Sequence, residues 1–228
     1  TMATHCIKFL DWQRTDYGKS WEQQQEIFNL QLERKNQGQP TEHHLIFVEH
    51  PHVYTLGKSG NSQNLLISDA RLQQIGATYY KVDRGGDITY HGPGQIVGYP
   101  IFDLESMKLG YKDYIEKLEQ SIIRYLKSEH NIEAFQLKGA TGVWVHSNRG
   151  EEKICAIGTR ASRFITMHGF AFNVNTNLEY FGYINPCGFV DKGVTSLQKI
   201  FGKEFDFEKE KFLLRGYIAR EFDADLIF

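Results

Sequence analysis

The spacing of apolar and polar residues divides the chain into many short strands and a few helices. Gln- and Glu-rich residues 19–36, closed by Gly38 and Pro40, predict an amphipathic helix. Leu45-Ile46-Phe47-Val48-Glu49 is a continuous run, too short for a helix and bounded by histidines and Pro51, which predicts a buried strand. Val53-Tyr54-Thr55-Leu56-Gly57 and Thr78-Tyr79-Tyr80-Lys81-Val82 read as two more strands. Between them, Ser68 is placed to cap a short helix over 69–75 that stops at Gly76. A strand is expected from Gln95 to Phe102, with Pro100 marking a sheet edge or a strand end. The clearest helix runs over 111–129, where Tyr114, Ile115, Leu118, Ile122, Tyr125 and Leu126 form one stripe at helical spacing. Further strands are expected at 142–146, 153–158 and 166–174, the first two joined by an Asn148-Arg149-Gly150 turn. Thr195-Ser196-Leu197-Gln198 has the form of a capping box opening a short helix, and residues 207–222 form a final amphipathic helix.

Strands and helices alternate without a strict rhythm, which predicts an α/β (α+β) fold rather than a regular doubly wound one. With 228 residues and no repeat, low-complexity tract or linker, residues 1–228 are expected to form a single domain. The 16 Phe and 12 Tyr require an aromatic-rich core or pocket. A net charge of −2 argues against nucleic-acid binding by bulk electrostatics. Three cysteines, Cys6, Cys155 and Cys187, read as reduced thiols rather than a disulfide framework. No apolar run approaches the length of a membrane span and no secretion signal is evident, so no membrane association and a cytoplasmic location are expected.

Candidate chemistry concentrates in a few segments. Residues 84–95, Arg-Gly-Gly-Asp-Ile-Thr-Tyr-His-Gly-Pro-Gly-Gln, hold four glycines and a proline among varied polar side chains. Glycine lets backbone approach a ligand closely, so this stretch reads as a substrate-holding loop, against the plainer reading of an exposed turn. Cys187 lies in Asn185-Pro186-Cys187-Gly188, a tight irregular segment, and is either a nucleophile with a cation or base nearby or an inert loop thiol. Lys153 opens an otherwise apolar strand; it is a solvated strand-end charge unless buried, in which case its pKa falls and it can serve as a base. Strand alternation puts Lys153, Cys155 and Ile157 on one face, and spacing does not choose between Cys155 and Cys187. His168 is either a ligand contact or a hydrogen-bonded strand histidine, and His91 could form a dyad with a thiol. The histidines at 43, 44, 50 and 52 lack zinc-site spacing, so no metal is expected. Phosphate-loop and dinucleotide fingerprints are absent. Lys138, Arg149, Lys153, Arg160 and Arg163 could form a local basic docking patch, or an ordinary set of solvated charges.

With the glycine-rich segment, Lys153-Ile154-Cys155-Ala156-Ile157-Gly158, His168-Gly169-Phe170-Ala171 and Asn185-Pro186-Cys187-Gly188 in order and register, the chain resembles the lipoyl(octanoyl) transferases from about residue 8 to residue 215. The resemblance implies a mixed sheet with surrounding helices, as in lipoate ligases and biotin protein ligases. It implies acyltransferase activity in lipoate biosynthesis: octanoyl transfer from octanoyl-acyl carrier protein, through a cysteine thioester, to a lysine of lipoyl domains. Those domains belong to 2-oxoacid dehydrogenase E2 subunits and the glycine-cleavage H protein. Cys187 matches the nucleophile and Lys153 its partner. Substrate contacts match Arg84, Gly85, Gly86, Asp87, Ile88, Thr89, Tyr90 and His91, then Ala156, Ile157 and Gly158, then Gly169, Phe170 and Ala171. No ATP, metal or other cofactor is implied; phosphopantetheine arrives on the carrier. Cys155 departs from the family's usual small non-thiol residue. Tyr90 and Phe172, with Ile157 and Phe170, are expected to line the slot for the acyl tail. An ATP-dependent lipoate ligase on the same scaffold and a non-catalytic acyl-carrier binding module are the alternatives.

Overall fold

The computed structural model describes residues 2–186 and 192–228. In chain order the strands and helices are β1 (His5–Arg14), α1 (Tyr17–Asn36), β2 (His43–Glu49), β3 (Val53–Leu56), α2 (Asp69–Gln74), β4 (Thr78–Lys81), β5 (Ile88–His91), β6 (Gln95–Ile101), α3 (Tyr111–His130), β7 (Ala134–Leu137), β8 (Ala140–Ser147), β9 (Gly150–Ser162), β10 (Ile165–Asn173), β11 (Gly193–Val194), α4 (Leu197–Phe201), α5 (Phe207–Glu221) and β12 (Ala224–Ile227). The main sheet has the order β12-β1-β2-β6-β10-β9-β8-β7, with β11 added beside β9, and it is mixed. Strand β1 runs parallel to both neighbours, whereas β2, β6, β10, β9, β8 and β7 pair antiparallel in turn. A second sheet, β4-β3-β5, stands apart.

Burial explains this arrangement. The Leu45–Val48 run is buried throughout because β2 lies inside the sheet and both its faces are covered. On one face the stripe of α3 packs with Leu214 and Ile218 of α5 against Phe47, Phe170 and Phe172. On the other, Phe28 of α1 meets Ile46, Val48, Val97 and Tyr99. The helices begin where side-chain acceptors satisfy free N–H groups: Asp16 accepts from Lys19, Ser68 from Arg71, Ser196 from Lys199 and Asp206 from Lys209. The cap of α4 is therefore Ser196, one residue after the expected Thr195.

The structure departs from these readings at three points. Residues 84–95 are not one loop, since 88–91 pair with β3 as strand β5; Gln95 opens β6, as expected. Of the two readings of Pro100 the strand end holds, since β6 stops at Ile101, and the sheet edge does not, because β6 lies between β2 and β10. The regular β6–β10 register ends at Gly98, and beyond it His168 has φ 59° and Gly169 φ 158°. There the Thr166 hydroxyl donates to the Pro100 carbonyl (2.8 Å) and accepts from Phe102 N–H (3.0 Å), so the irregular ladder accommodates a residue without an N–H. Strand β1 was not expected, because only Ile7 and Phe9 of its ten residues are buried.

Gly98 carries the ring of Phe170. A Cβ there would lie 2.2 Å from Phe170 Cζ and 2.4 Å from Cε1. Gly98→Ala is expected to destabilise the protein by about 1–3 kcal/mol through overpacking, seen as a lower urea midpoint with an unchanged m-value.

Candidate active site

The site is built where β9, β10 and β6 meet the glycine-rich segment. A cavity of about 560 Å³ lies there, within the range typical of small-molecule sites. Residues 84–89, His91, Lys153, 156–158, His168 and 169–171 all line it. Tyr90 does not. Its side chain points the other way, into the small sheet's core with Tyr54 and Ile184, and its hydroxyl bonds His52 Nδ1 at 2.6 Å. Phe172 is likewise sealed in the core under α3 and α5 and is not a wall residue.

The glycine-rich segment sits directly on β9. Gly85 N–H donates to the Thr159 carbonyl at 2.8 Å, and a Cβ on Gly158 would lie 2.8 Å from the Gly85 carbonyl oxygen. A side chain at 158 would lift the segment from the strand. Arg84, 7 % exposed, is held by Thr55, whose carbonyl and hydroxyl each accept at 2.7 Å, and by the Gly85 carbonyl at 2.9 Å. Asp87 accepts from both Asn64 Nδ2 (2.9 and 3.1 Å) and Ile88 N–H (2.8 Å).

Lys153 reaches the cavity because β9 carries an extra residue. Val143 pairs with Cys155 but Trp144 pairs with Lys153, so one step on β8 matches two on β9 and Ile154 is bulged. Neighbours on β8 face opposite ways. Cys155 therefore follows Val143 into the core, fully buried, while Lys153 follows Trp144 into the cavity with its amine 5.0 Å from the indole centroid. The expected sharing of one face by Lys153 and Cys155 fails for this reason. Burial lowers the Lys153 pKa below that of an ordinary lysine, with an opposing effect from Cys155. Burial pushes the Cys155 thiol far up, which removes it as a nucleophile.

Cys187 lies outside the described residues. Its flanks do not: Asn185, Pro186 and Lys192 line the same cavity as Lys153. Asn185 N–H donates to the Asn64 carbonyl at 2.8 Å, and after Lys192 the chain joins β9, with Val194 paired to Lys153 itself. Lys192 also stands over Trp144, 6.0 Å from the ring centroid, and pairs with Glu151.

The histidines are engaged locally. His168 Nε2 meets Asp83 at 2.7 Å, and its N–H goes to Gln24 rather than to a neighbouring strand. His50 bonds the Thr15 carbonyl and the Tyr99 hydroxyl, each at 2.7 Å. His43 Nδ1 accepts from Asp103 N–H at 3.1 Å. Among the described residues no group of three or more His, Cys, Asp or Glu is placed to hold a metal.

The basic patch does not assemble. Arg149 and Arg163 flank the two ends of the 13-residue β9, on the order of 40 Å of strand apart. Lys153 is buried, and Arg160 is paired with Asp83 at 3.0 Å. Sequence reasoning missed Tyr17, Tyr99, Trp144, Asn173 and Phe181, which also line the cavity, whereas Gln95 lines it as the end of the 84–95 stretch. The missed residues come from α1, β6, β8, β10 and the 178–183 turn, and no local pattern links them.

The family model described as "Lipoyl protein ligase A/B catalytic domain" matches residues 16–217. An octanoyltransferase of Bacteroides fragilis (strain YCH46) is 51% identical over 202 residues, 88% of this chain and 91% of that protein. A bi-partite lipoate protein ligase from Thermoplasma acidophilum superposes with a TM-score of 0.67 at 12% identity, covering 100% of this chain and 88% of that one. Biotin protein ligase from Aquifex aeolicus, in complex with biotin and ATP, superposes with a TM-score of 0.52 at 12% identity, covering 95% and 69%. The two structural likenesses establish the shared mixed-sheet fold.

Alkylation of the native protein is expected to label exposed Cys6 readily and to spare Cys155 until denaturant is added, as read by peptide mass mapping.

Proposed function

This chain belongs to the lipoyl protein ligase A/B catalytic-domain family, and we propose that residues 1–228 form a single octanoyltransferase domain working through Cys187 and Lys153. The chain transfers an octanoyl group in lipoate biosynthesis. The donor in this reading is octanoyl-acyl carrier protein, and the acceptor is a lysine of a lipoyl domain, on an E2 subunit or the H protein. The observation that carries the site assignment is a buried amine, Lys153, in a cavity whose wall continues to both flanks of the Cys187 segment. Pro186 on that wall directly precedes Cys187 in the sequence.

In the first step, the Cys187 thiolate attacks the thioester carbonyl. The tetrahedral adduct collapses, re-forming the carbonyl and expelling the carrier's thiolate, which takes up the proton that Lys153 releases. One thioester replaces another, so no nucleoside triphosphate is needed. The Lys153 ammonium favours the thiolate while both are charged. Acylation removes that negative charge, and desolvation then favours neutral Lys153. In the second step the neutral amine takes a proton from the acceptor lysine as it attacks. An amide forms and the Cys187 thiolate departs. Arg84–Thr89, His91, Ala156–Gly158 and Gly169–Ala171 bind the substrate in this reading, and His168 contributes to the same wall. Residues 90 and 155 take no direct part: Tyr90 supports the small sheet, and Cys155 fills the core.

Intact-mass analysis after incubation with octanoyl-acyl carrier protein, without ATP or Mg²⁺, tests the reading. An octanoyl adduct mapped to Cys187 supports it. An absolute need for ATP returns the ligase alternative, and full function in Cys187→Ala returns the binding module. Lys153→Arg separates the two steps, because arginine keeps the charge but does not release its proton. The variant is expected to form the acyl-enzyme yet lose about 10²–10⁴-fold in transfer to the acceptor lysine, measured by single-turnover mass spectrometry.

A further inference from the structure

Two ladders lose their regular step in the same stretch of β8. Toward β9, Val143 pairs with Cys155 and Trp144 with Lys153, so Ile154 is extra. Toward β7, Phe135 pairs with Trp144 and Leu137 with Ala140, so Gln136 alone stands against Thr141, Gly142 and Val143. Gly142 lies where the two irregularities meet, at φ 135°, a backbone conformation that side chains disfavour. One buried side chain is fastened to both. Glu119 of α3, 7 % exposed, accepts from the Gly142 N–H at 3.1 Å through Oε2 and from the Gln136 amide at 3.3 Å through Oε1. It arrives from the core side, since Leu118 and Ile122 of the same helix share one cluster with Val143 and Cys155. Lys153 lies in the cavity instead, whose wall includes residues 139–141, where β7 turns into β8.

Burial raises the Glu119 pKa, and the hydrogen bond from Gly142 opposes it. The contact matters because of what its loss would permit. Without the carboxylate, the Gly142 N–H is a buried donor with no acceptor, which is costly, and a return to the regular ladder satisfies it. Regular alternation puts positions 153 and 155 on one face. Either Lys153 then turns into the core with Cys155, or Cys155 turns into the cavity with Lys153. The bulge alone keeps the amine and this thiol on opposite faces.

We infer that Glu119 is a positioning residue for Lys153: its hydrogen bonds to Gly142 and Gln136 hold the bulge that puts the amine in the cavity and Cys155 in the core. Glu119 is not part of the cavity wall and acts through the strands, from the core side of the sheet. The inference rests on the transfer reaction described above, in which Lys153 is the base.

Glu119→Leu keeps a side chain of similar size without an acceptor, and Glu119→Gln keeps an amide oxygen that accepts from Gly142. Each variant is read in two ways: the pH profile of single-turnover transfer from acyl-enzyme to a lipoyl domain, and alkylation of Cys155 under native conditions. In Glu119→Leu, transfer is expected to fall at least about tenfold, part of the about 10²–10⁴-fold that a general base supplies, and to lose its rise with pH wherever Lys153 turns into the core. Where the slip instead turns Cys155 into the cavity, that thiol becomes labelled without denaturant. Glu119→Gln is expected to stay within about threefold of wild type, with the rise retained and Cys155 protected, because the acceptor is kept. Gly142→Ala strikes the same junction from β8, where a Cβ would lie 2.7 Å from the Cys155 carbonyl oxygen, and is expected to behave as Glu119→Leu does. It decides the matter if Glu119→Leu does not fold. A Glu119→Leu or Gly142→Ala protein that keeps both the rise with pH and the protection of Cys155 overturns the inference alone, since lost packing by itself moves neither. So does a Glu119→Gln protein that loses the rise. Wild-type protein that transfers no octanoyl group overturns the function and this role together.

Discussion

One bulged residue places the chemistry of this site. Ile154 interrupts the alternation of β9, and through it a lysine two positions from a core cysteine is turned into the cavity instead of the core. Burial then does to that lysine what a solvated strand end would not: it penalises the charged form and brings the amine toward use as a base. Trp144, its partner across the ladder, compensates in part by offering a ring face to the cation. Gly142, at φ 135°, lets β8 pass close to β9 beside the bulge; a Cβ there would lie 2.7 Å from the Cys155 carbonyl oxygen.

The rest of the architecture holds the walls around that amine. The central strands supply a floor of small residues, and close approach is a property of the backbone itself, since Gly85 hydrogen-bonds β9 and Gly158 yields the space. Asn64 ties two walls together: its side chain holds the Asp87 carboxylate, and its carbonyl receives the N–H of Asn185. The glycine-rich segment and the chain leading to Cys187 are therefore positioned by one residue of a short 3₁₀ turn, Ser62–Asn64.

Much of this was legible in the sequence because it is local. The stripe of α3 and the cap at Ser68 express themselves within a few residues, and the start of α4 was read one residue early. Strands with both faces buried, such as β2, announce themselves by unbroken apolar runs. Strands β1, β7 and β12 escaped because they lie at or near the sheet's edges with few buried positions. The motif segments were legible as glycine-rich or irregular chemistry. Their mutual placement was not, and neither were Tyr17, Tyr99 and Trp144, which reach the cavity from α1, β6 and β8. The bulge at Ile154 has no local signature beyond the neighbouring Gly142. Alternation therefore misassigned Cys155, and Pro100 left edge and strand end open because the irregular ladder opposite it is a tertiary feature.

The pH dependence of the second half-reaction tests the role of the buried amine most directly. Acyl-enzyme is prepared, mixed with a lipoyl domain, and its decay to product followed in single turnovers across a pH series. Lys153 holds its proton less tightly than a solvated lysine, so its neutral form accumulates as pH rises through a value below 10.5. The account predicts that transfer rises with pH and levels off with an apparent pKa below 10.5, and that this step is missing in Lys153→Arg. A profile that climbs only at or above 10.5, or one identical in the two proteins, contradicts it.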